Sequence, residues 1–324
     1  MIYPAYLKEK DLIGITATSN GILPERLDSL ISSKKNLRKE GYKVRETKNV
    51  RTGKEPSSSA KERGREFNEL VNDSKVKAII TAAGGDFLMD MLPYTDFQSL
   101  ARKPKWVLGM SDPTPYLFIL PTKYDIASLY GANAGYFNGE DELSYPEVVY
   151  SMFKGEYPKQ SSFVEYCPDF EGIKRKKVFW RTLNGPVDIK GRLIGGCFDC
   201  LRDLVGTPFD NVKEFNERYK DEGIIWFFDI FSLSSEEFYR SLLQMKWAGW
   251  FDNAKGIVLG RVMFPNKTTS LTYNMALKKV FGKKMPLVSD IDFGHTKPCF
   301  ILLNGGYGHL KAENGLGYLT QKAI

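Results

Sequence analysis

The sequence predicts an α/β protein, with an amino-terminal, doubly wound, mostly parallel sheet followed by an α+β or barrel-like carboxy-terminal domain. Short apolar runs alternate with amphipathic stretches in the first half, which is the pattern of parallel strands joined by crossover helices. Short apolar strands dominate the second half. A chain of 324 residues is long enough for two domains. We expect the domains to cover residues 1–160 and 161–324.

The predicted elements of the first half follow one another in strand–helix order. Strands are expected at 11–16, 42–44, 76–80 and 106–108, and helices at 25–40 and 59–72. Ligands of open parallel sheets bind beyond the carboxyl ends of the strands. The residues that directly follow these strands are therefore the first candidates for a functional site.

The second half begins with a change in composition. Prolines, glycines and charges between about residues 146 and 181 predict a linker or an irregular excursion. Strands are expected beyond it at 187–189, 224–228, 256–259, 287–288 and 299–303, and a helix at 235–248. That helix opens with Ser-Ser-Glu-Glu, which resembles a capping signal.

The composition is that of an ordinary globular protein, with 42% apolar and 26% charged residues. The longest apolar stretches are far shorter than a membrane span, and the first residues do not resemble a secretory signal. We therefore expect a cytoplasmic protein without a membrane partner. The net charge of +7 is interpreted as solvated surface charge, because the basic clusters lack interleaved aromatic residues. No nucleic-acid partner is predicted.

The four cysteines are too few for a disulfide scaffold of this size. Cys197 and Cys200 form a C-x-x-C, and His295 lies four residues before Cys299, so a zinc site could be drawn from these residues. A long interval separates the two pairs, and the C-x-x-C does not obviously open a helix after a strand, as a redox motif does. Buried packing residues are favoured, and a metal or redox protein remains an alternative.

Ser111 follows the strand at 106–108 within the stretch GMSDPTPYLF. Because Asp-Pro comes next, its hydroxyl could cap a helix that begins at this serine. It could also be a nucleophile on a sharp strand-to-helix turn, with the amide of Asp112 placed to stabilise an oxyanion. The turn lacks the second glycine of G-x-S-x-G, so an α/β-hydrolase proper is not predicted.

Two further residues could form a catalytic triad with this serine. Asp229 ends the apolar run 223–228, where a buried carboxylate needs a partner such as a histidine. His295 follows a predicted strand and a glycine, and it is one of only two histidines. The alternatives are an aspartate that caps a turn and a structural histidine. His309 lies in a glycine-rich segment that favours a β-turn over a nucleotide site.

Several segments together resemble the serine LD-carboxypeptidase family (peptidase family S66), which also contains the microcin C immunity hydrolases. The segments are AGGDF at 83–87, LPYTD at 92–96, GMSD at 109–112, GRLIGGC at 191–197, LVGT at 204–207 and FGH at 293–295. Their order and approximate spacing match the family from Asp11 to about Gly315. The resemblance therefore covers nearly the whole chain.

The resemblance implies an α/β sheet, a second domain with a small β-barrel, and a cytoplasmic, commonly dimeric hydrolase without a metal or cofactor. It implies that Ser111 attacks an amide carbonyl, that His295 carries the proton and that Asp229 orients the histidine. The amides of Gly85 and Asp112 would form the oxyanion hole. The expected partner is a small peptide or peptide-conjugate substrate.

Two departures from the family pattern bear on activity and substrate. The usual acid is glutamate, and the loss of one methylene at Asp229 retracts the carboxylate by roughly 1.5 Å. The loop with the substrate-binding candidates Gly84 and Asp86 lacks the arginine of many murein-specific members. Trp180 could be an aromatic platform for a ligand base, although a core position is the favoured interpretation.

These observations predict a serine carboxypeptidase that cleaves an amide bond next to a terminal D-amino acid, as in a murein tetrapeptide. The first alternative is a hydrolase of aminoacyl-nucleotide conjugates, similar to the microcin C immunity enzymes. The second is a catalytically weakened member of the family that binds peptides, which the shorter acid Asp229 would favour.

Overall fold

The computed structural model describes residues 1–138, 146–169 and 174–324. The strands are β1 (Leu12–Thr16), β2 (Lys43–Glu46), β3 (Val76–Thr81), β4 (Trp106–Gly109), β5 (Ser128–Tyr130), β6 (Gln160–Ser161), β7 (Glu165–Tyr166), β8 (Lys176–Lys177), β9 (Arg181–Thr182), β10 (Val187–Cys197), β11 (Ile224–Asp229), β12 (Ala254–Gly260), β13 (Leu287–Ile291), β14 (Leu302–Asn304), β15 (Tyr307–Glu313) and β16 (Leu316–Lys322).

Helices follow most of the parallel strands. They are α1 (Leu27–Lys39), α2 (Ala60–Asn72), α3 (Phe97–Arg102), α4 (Thr114–Tyr124), α5 (Pro146–Phe153), α6 (Phe198–Leu201), α7 (Val212–Arg218), α8 (Ser235–Trp247) and α9 (Tyr273–Phe281). Short 3-10 helices lie at Pro24–Arg26, Lys48–Arg51, Met89–Tyr94, Ala134–Phe137 and Arg202–Leu204. Within the described ranges, no helix combines the length and the apolarity that crossing a bilayer requires.

The first sheet has the strand order β14-β5-β4-β3-β1-β2. Strands β1 to β5 are parallel to their neighbours, and β14 pairs antiparallel with β5. Strands β3 and β4 are almost entirely buried, as expected for parallel strands that are covered on both faces. The strand order reverses between β1 and β3, and their carboxyl ends therefore open onto a crevice.

The second sheet has the strand order β6-β16-β15-β10-β11-β12-β13-β9. Its centre is a parallel run from β10 to β13, and antiparallel strands complete both sides. Its edge strands β6 and β9 are not paired with each other in the described chain, so the sheet is not closed into a barrel. The α8 helix begins with a capping box between Ser234 and Glu237, as its sequence predicts.

The two sheets are joined through α4 and β14. The backbone amide of Cys197, at the end of β10, donates to Oγ1 of Thr114 at the start of α4 (3.1 Å). Asn304 in β14 donates to the carbonyls of Leu117 in α4 and Gly195 in β10 (3.0 Å each). These contacts bring the carboxyl ends of β4 and β11 close together.

The predicted α/β class is confirmed, and three details of the prediction are wrong. The first helix is preceded by a 3-10 turn and starts at Leu27. The stretch from residue 146 contains α5 and short strands, so it is not an irregular linker. The strand expected at 187–189 extends to Cys197 and has eleven residues, and its glycines pack closely against β11 and α4. The domain boundary at residue 160 stays a prediction, and β14 returns to the first sheet after it.

Candidate active site

Ser111 lies on a strained turn directly after β4. Its φ is 69°, a left-handed conformation that residues other than glycine adopt rarely. Its carbonyl accepts hydrogen bonds from the amide and Oγ1 of Thr114 (2.9 and 2.6 Å). The N-cap of α4 is Pro113, without a side-chain cap, so the expectation of a helix that begins at Ser111 is wrong. The strained turn instead resembles the way nucleophilic serines are presented.

The Gly84–Gly85 loop, after β3, packs tightly against this turn. A Cβ atom at Gly84 would lie 3.0 Å from Oγ of Ser111 and 3.8 Å from the amide nitrogen of Asp112. Gly85 has a φ of +140°, and a side chain there would clash with Oγ of Ser19. The absence of side chains therefore keeps the space beside the Ser111 hydroxyl open.

The carboxylate of Asp112 fixes the glycine loop to the Ser111 turn. It accepts hydrogen bonds from the backbone amides of Phe87 and Leu88 (2.9 Å each). Burial, aided by the negative charge of Asp86, raises the pKa of Asp112 above its usual range, although the hydrogen bonds from Ser19 and the two amides oppose this. Sequence analysis predicts a role only for the backbone amide of Asp112. No sequence motif indicates that its carboxylate binds the glycine loop.

Asp229 and His295 form a buried hydrogen-bonded pair. Asp229 ends β11 and His295 follows β13, and the distance from Oδ2 to Nδ1 is 2.6 Å. Asp229 is fully buried and His295 is 6% exposed. Nε2 of His295 has no hydrogen-bond partner within the described residues. The shorter acid thus reaches the histidine through its first ring nitrogen.

Tyr130 is a further member of this cluster that no sequence motif marked. It ends β5, is fully buried, and its hydroxyl donates to Oδ1 of Asp229. The two residues are 99 positions apart in the chain, so only the fold reveals their contact. Each oxygen of the Asp229 carboxylate consequently has its own donor, either Tyr130 or His295.

Ser111 and His295 line the same open cleft, which has a volume of about 520 Å³. Its walls come from the loops after β1, β3, β4 and β13 and from the segment after β5. Three charged side chains contribute to the lining: Arg26, Glu55 and Lys297. Glu55 accepts a hydrogen bond from Asn20 (3.1 Å). The cleft therefore offers both signs of charge to a substrate.

The predicted substrate-binding residues have different surroundings. Gly84 lines the cleft together with the oxyanion candidate Gly85. Asp86 is exposed and does not belong to the lining. Trp180 is 1% exposed, and its indole nitrogen donates to Oδ2 of Asp292 (2.8 Å). Trp180 is therefore a core residue, and the hypothesis of an aromatic platform does not fit this structure.

The structure does not bring together the four potential zinc ligands named in the sequence analysis. Within the described chain, the one group of potential metal ligands consists of Cys197, Asp229 and His295, whose donor atoms lie within 4.8 Å of one another. Cys299 instead donates to the carbonyl of Gly131 (3.3 Å). A hydrogen bond with Cys200 and burial raise the pKa of Cys197 well above its usual value, which favours the neutral thiol over a metal-binding thiolate.

The C-x-x-C does lie at a junction between a strand and a helix, contrary to the expectation from the sequence. Cys197 ends β10, and α6 begins at the next residue. Both cysteines are free thiols. His309 is a strand residue in β15, where its Nε2 lies 2.6 Å from Asp188, so it takes no part in the cleft.

Family models match both halves of the chain. The model of the LD-carboxypeptidase N-terminal domain matches residues 13–131, and that of the C-terminal domain matches residues 190–310. A putative carboxypeptidase of Vibrio cholerae is 26% identical over 97% of this chain and 96% of its own length. The microcin C7 self-immunity protein MccF of Escherichia coli is 26% identical over 82% of this chain and 80% of its own.

Solved structures show the same fold. MccF in complex with aspartyl sulfamoyl adenosine has a TM-score of 0.84 and 21% identity, with 99% of each chain covered. A muramoyltetrapeptide carboxypeptidase from Oxalobacter formigenes has a TM-score of 0.74 and 24% identity, with 97% of this chain and 99% of that one covered. The family models cover most of the chain, including Ser111, Asp229 and His295. This protein belongs to the LD-carboxypeptidase family.

Proposed function

We propose that this protein is a serine hydrolase that cleaves an amide bond next to a terminal D-amino acid of a murein-type peptide. The observation that carries the proposal is the 2.6 Å hydrogen bond between Asp229 and His295, behind a cleft that Ser111 also lines. Relatives that are named carboxypeptidases, and family models over both halves, support the same reaction class.

In the proposed reaction, Oγ of Ser111 attacks the amide carbonyl while Nε2 of His295 takes the hydroxyl proton. Asp229 holds Nδ1, so that Nε2 is the nitrogen free to act as the base. The tetrahedral intermediate then expels the amine, which receives the proton from His295. Water hydrolyses the resulting acyl-enzyme by the same sequence of proton transfers, and Ser111 is regenerated.

The negative charge of the tetrahedral intermediate needs donors beside the nucleophile. The amides of Gly85 and Asp112 are the proposed donors, because the glycine loop packs on the Ser111 turn. The two hydrogen bonds from Phe87 and Leu88 to the Asp112 carboxylate hold the loop in this position. Donors that are fixed before the reaction stabilise the developing charge without further reorganisation.

The charges of the cleft fit a small zwitterionic substrate. Lys297 lies two residues after His295, so a carboxylate next to the scissile bond would lie near its ammonium group. Arg26 offers a second cation, and Glu55 offers a partner for an ammonium group of the substrate. We therefore propose a short peptide with a free terminal carboxylate as the substrate class.

Hydrolysis of an aminoacyl-nucleotide conjugate is the second candidate. The MccF structures contain aspartyl sulfamoyl adenosine and glutamyl sulfamoyl guanosine. The glycine loop of this chain lacks an arginine, and the cleft is lined by the aromatic residue Tyr136, with Nζ of Lys297 5.4 Å from its ring centroid. These two features support a nucleotide-containing substrate as the second candidate.

A turnover screen distinguishes the two candidates. The purified protein is incubated with murein tetrapeptide and, separately, with aspartyl sulfamoyl adenosine, and the released D-alanine or aspartate is quantified. We expect release from one of the two, and a loss of at least a thousandfold in Ser111→Ala, in line with the removal of a nucleophile. Unchanged turnover in folded Ser111→Ala would refute the serine mechanism.

Two further expectations belong to the proposal. A cytoplasmic location fits a substrate that is a small peptide or conjugate taken up or recycled by the cell. A homodimer is the expected assembly, and light scattering on the purified protein measures it directly. A monomeric protein with full turnover would contradict the expected dimer and would leave the proposed reaction unchanged.

A further inference from the structure

The hydroxyl of Tyr130 connects the two sheets at the candidate triad. Tyr130 ends β5 in the first sheet, whereas its acceptor Asp229 ends β11 in the second. Tyr130 also pairs in register with Gly109 of β4, two residues before Ser111. The strand pair that carries the nucleophile is therefore bonded to the carboxylate that holds His295.

The environment of Asp229 makes this bond costly to lose. The carboxylate is fully buried, and a buried ionised carboxylate needs hydrogen-bond donors on its oxygens. His295 occupies Oδ2 and Tyr130 occupies Oδ1. Without the hydroxyl, Oδ1 would lose the donor that keeps the carboxylate from rotating away from the imidazole.

The tyrosine keeps its proton over the range in which an imidazole titrates. Burial and the nearby charge of Asp229 raise the pKa of Tyr130 well above its usual value. Among the described residues, the thiol of Cys197 at the end of β10 lies next to Asp229, with Cys200 and Asp199 behind it. Asp199 accepts hydrogen bonds from the amides of residues 231 to 233, so its charge has its own donors.

We propose that Tyr130 is a positioning residue for the reaction, which sets the Asp229 carboxylate and thereby aligns His295 with Ser111. This inference rests on the proposed function and adds a fourth residue to its machinery. Tyr130 acts through Asp229 and not on the substrate, because it does not line the cleft. It also ties the alignment of the triad to the docking of the two sheets.

The first test compares Tyr130→Phe with Tyr116→Phe. Tyr116 is a matched control, since it is also fully buried and its hydroxyl is bonded to Thr95, away from the triad. We expect Tyr130→Phe to lower kcat by roughly 10- to 100-fold, as the loss of a hydrogen bond to a charged group does. KM should stay within about twofold. Tyr116→Phe should leave both constants near those of the wild type.

The second test needs no substrate and uses the fact that the chain has only two histidines. In protein labelled with ¹⁵N-histidine, the ring nitrogens of His295 and His309 give separate signals, which His309→Gln assigns. We expect Tyr130→Phe to move the signals of His295 and to leave those of His309 unchanged. His309 bonds to Asp188 on another part of the second sheet and serves as the internal reference.

A double-variant comparison separates an effect that acts through Asp229 from a general effect of Tyr130→Phe on the fold. In Asp229→Ala the carboxylate is absent, so adding Tyr130→Phe should not change the residual rate. A further loss of rate in the double variant would overturn the proposal. So would wild-type kcat together with unmoved His295 signals in folded Tyr130→Phe. The serine mechanism itself is tested separately by Ser111→Ala, so failure of the Tyr130 proposal can be distinguished from failure of the proposed function.

Discussion

At the scale of single residues, the length of the acid and the backbone that carries it fit each other. Asp229 already lies 2.6 Å from His295, although glutamate is usual in the family that the sequence resembles. The side chain is fully buried, bonded on both oxygens and packed against Gly294, so another methylene would have to displace its neighbours. At the end of β11 an aspartate therefore reaches the histidine without a longer side chain.

We therefore expect Asp229→Glu to have lower activity than the wild type, although glutamate is the usual acid of the family. The longer side chain would push the carboxylate or the imidazole out of line, and a displacement of about 1 Å can cost about a hundredfold in rate. Steady-state kinetics on the identified substrate measure the effect, with Asp199→Glu as a control carboxylate that bonds backbone amides. If Asp229→Glu were faster than the wild type, aspartate at this position would support less activity than glutamate does.

The sequence predicted those site residues whose position next to a strand or whose rarity is visible in a short stretch of sequence. Ser111 after an apolar strand, Asp229 at the end of another and a rare histidine could be named without a structure. Tyr130 and the Asp112 carboxylate could not, because their partners lie 99 and about 25 positions away. Such contacts depend on how the strands are ordered, and local patterns do not encode that order.

At the scale of the elements, continuous apolar runs predicted the buried parallel strands correctly, and one glycine-containing strand was predicted too short. A strand is expected at 187–189, whereas β10 continues through the run GRLIGGC to Cys197. The side of β11 and Thr114 of α4 lie so close to Gly195 and Gly196 that only glycine fits. Tertiary packing therefore decided the conformation against the local propensity.

Lys105 ties three elements together and makes their stability depend on pH. Its ammonium, 4% exposed before β4, donates to the carbonyls of Asp73 after α2 and Val76 in β3 (2.8 and 2.6 Å). Burial, with a contribution from Lys77, lowers the pKa of Lys105 to about 8. Between about pH 8 and 10.5 the folded state therefore binds fewer protons than the unfolded state, so stability rises with pH in this window.

The comparison is with Lys105→Met, which lacks the titration. We expect the free energy of unfolding of the wild type to rise relative to this variant, by at most about 3 kcal/mol, between pH 7.5 and 10.5. Urea unfolding of both proteins at the two pH values gives the difference, and effects of other groups cancel in the pair. A difference that is independent of pH would show that Lys105 is not desolvated.

At the scale of the whole molecule, the candidate site exists only where the two sheets meet. The first sheet supplies Ser111 and Tyr130, and the second supplies Asp229 and His295. Strand β14 also links the two halves of the chain, because it comes from the second half and forms an edge of the first sheet. The fold therefore couples the docking of the sheets to the chemistry of the site.

Asn304→Ala tests this coupling. Asn304 is fully buried in β14, where it donates to Leu117 in α4 and both accepts from and donates to Gly195 in β10 (3.0 to 3.1 Å). Its removal leaves buried backbone groups unpaired, each at a cost of about 1–3 kcal/mol. We expect a loss of several such increments in the free energy of unfolding, with one cooperative transition, because both sheets lose the same anchor.

The control for this variant is Asn253→Ala, whose amide bonds the carbonyls of Asn216 and Tyr219 within the second half only. Urea unfolding is followed by far-UV circular dichroism and by tryptophan fluorescence, which samples Trp106 in the first sheet and Trp226 in the second. Coincident curves at lower urea are the expected result for Asn304→Ala, together with a fall in turnover before global unfolding. Two separated transitions, with only one of them shifted, would show that the sheets unfold independently and that β14 does not couple them.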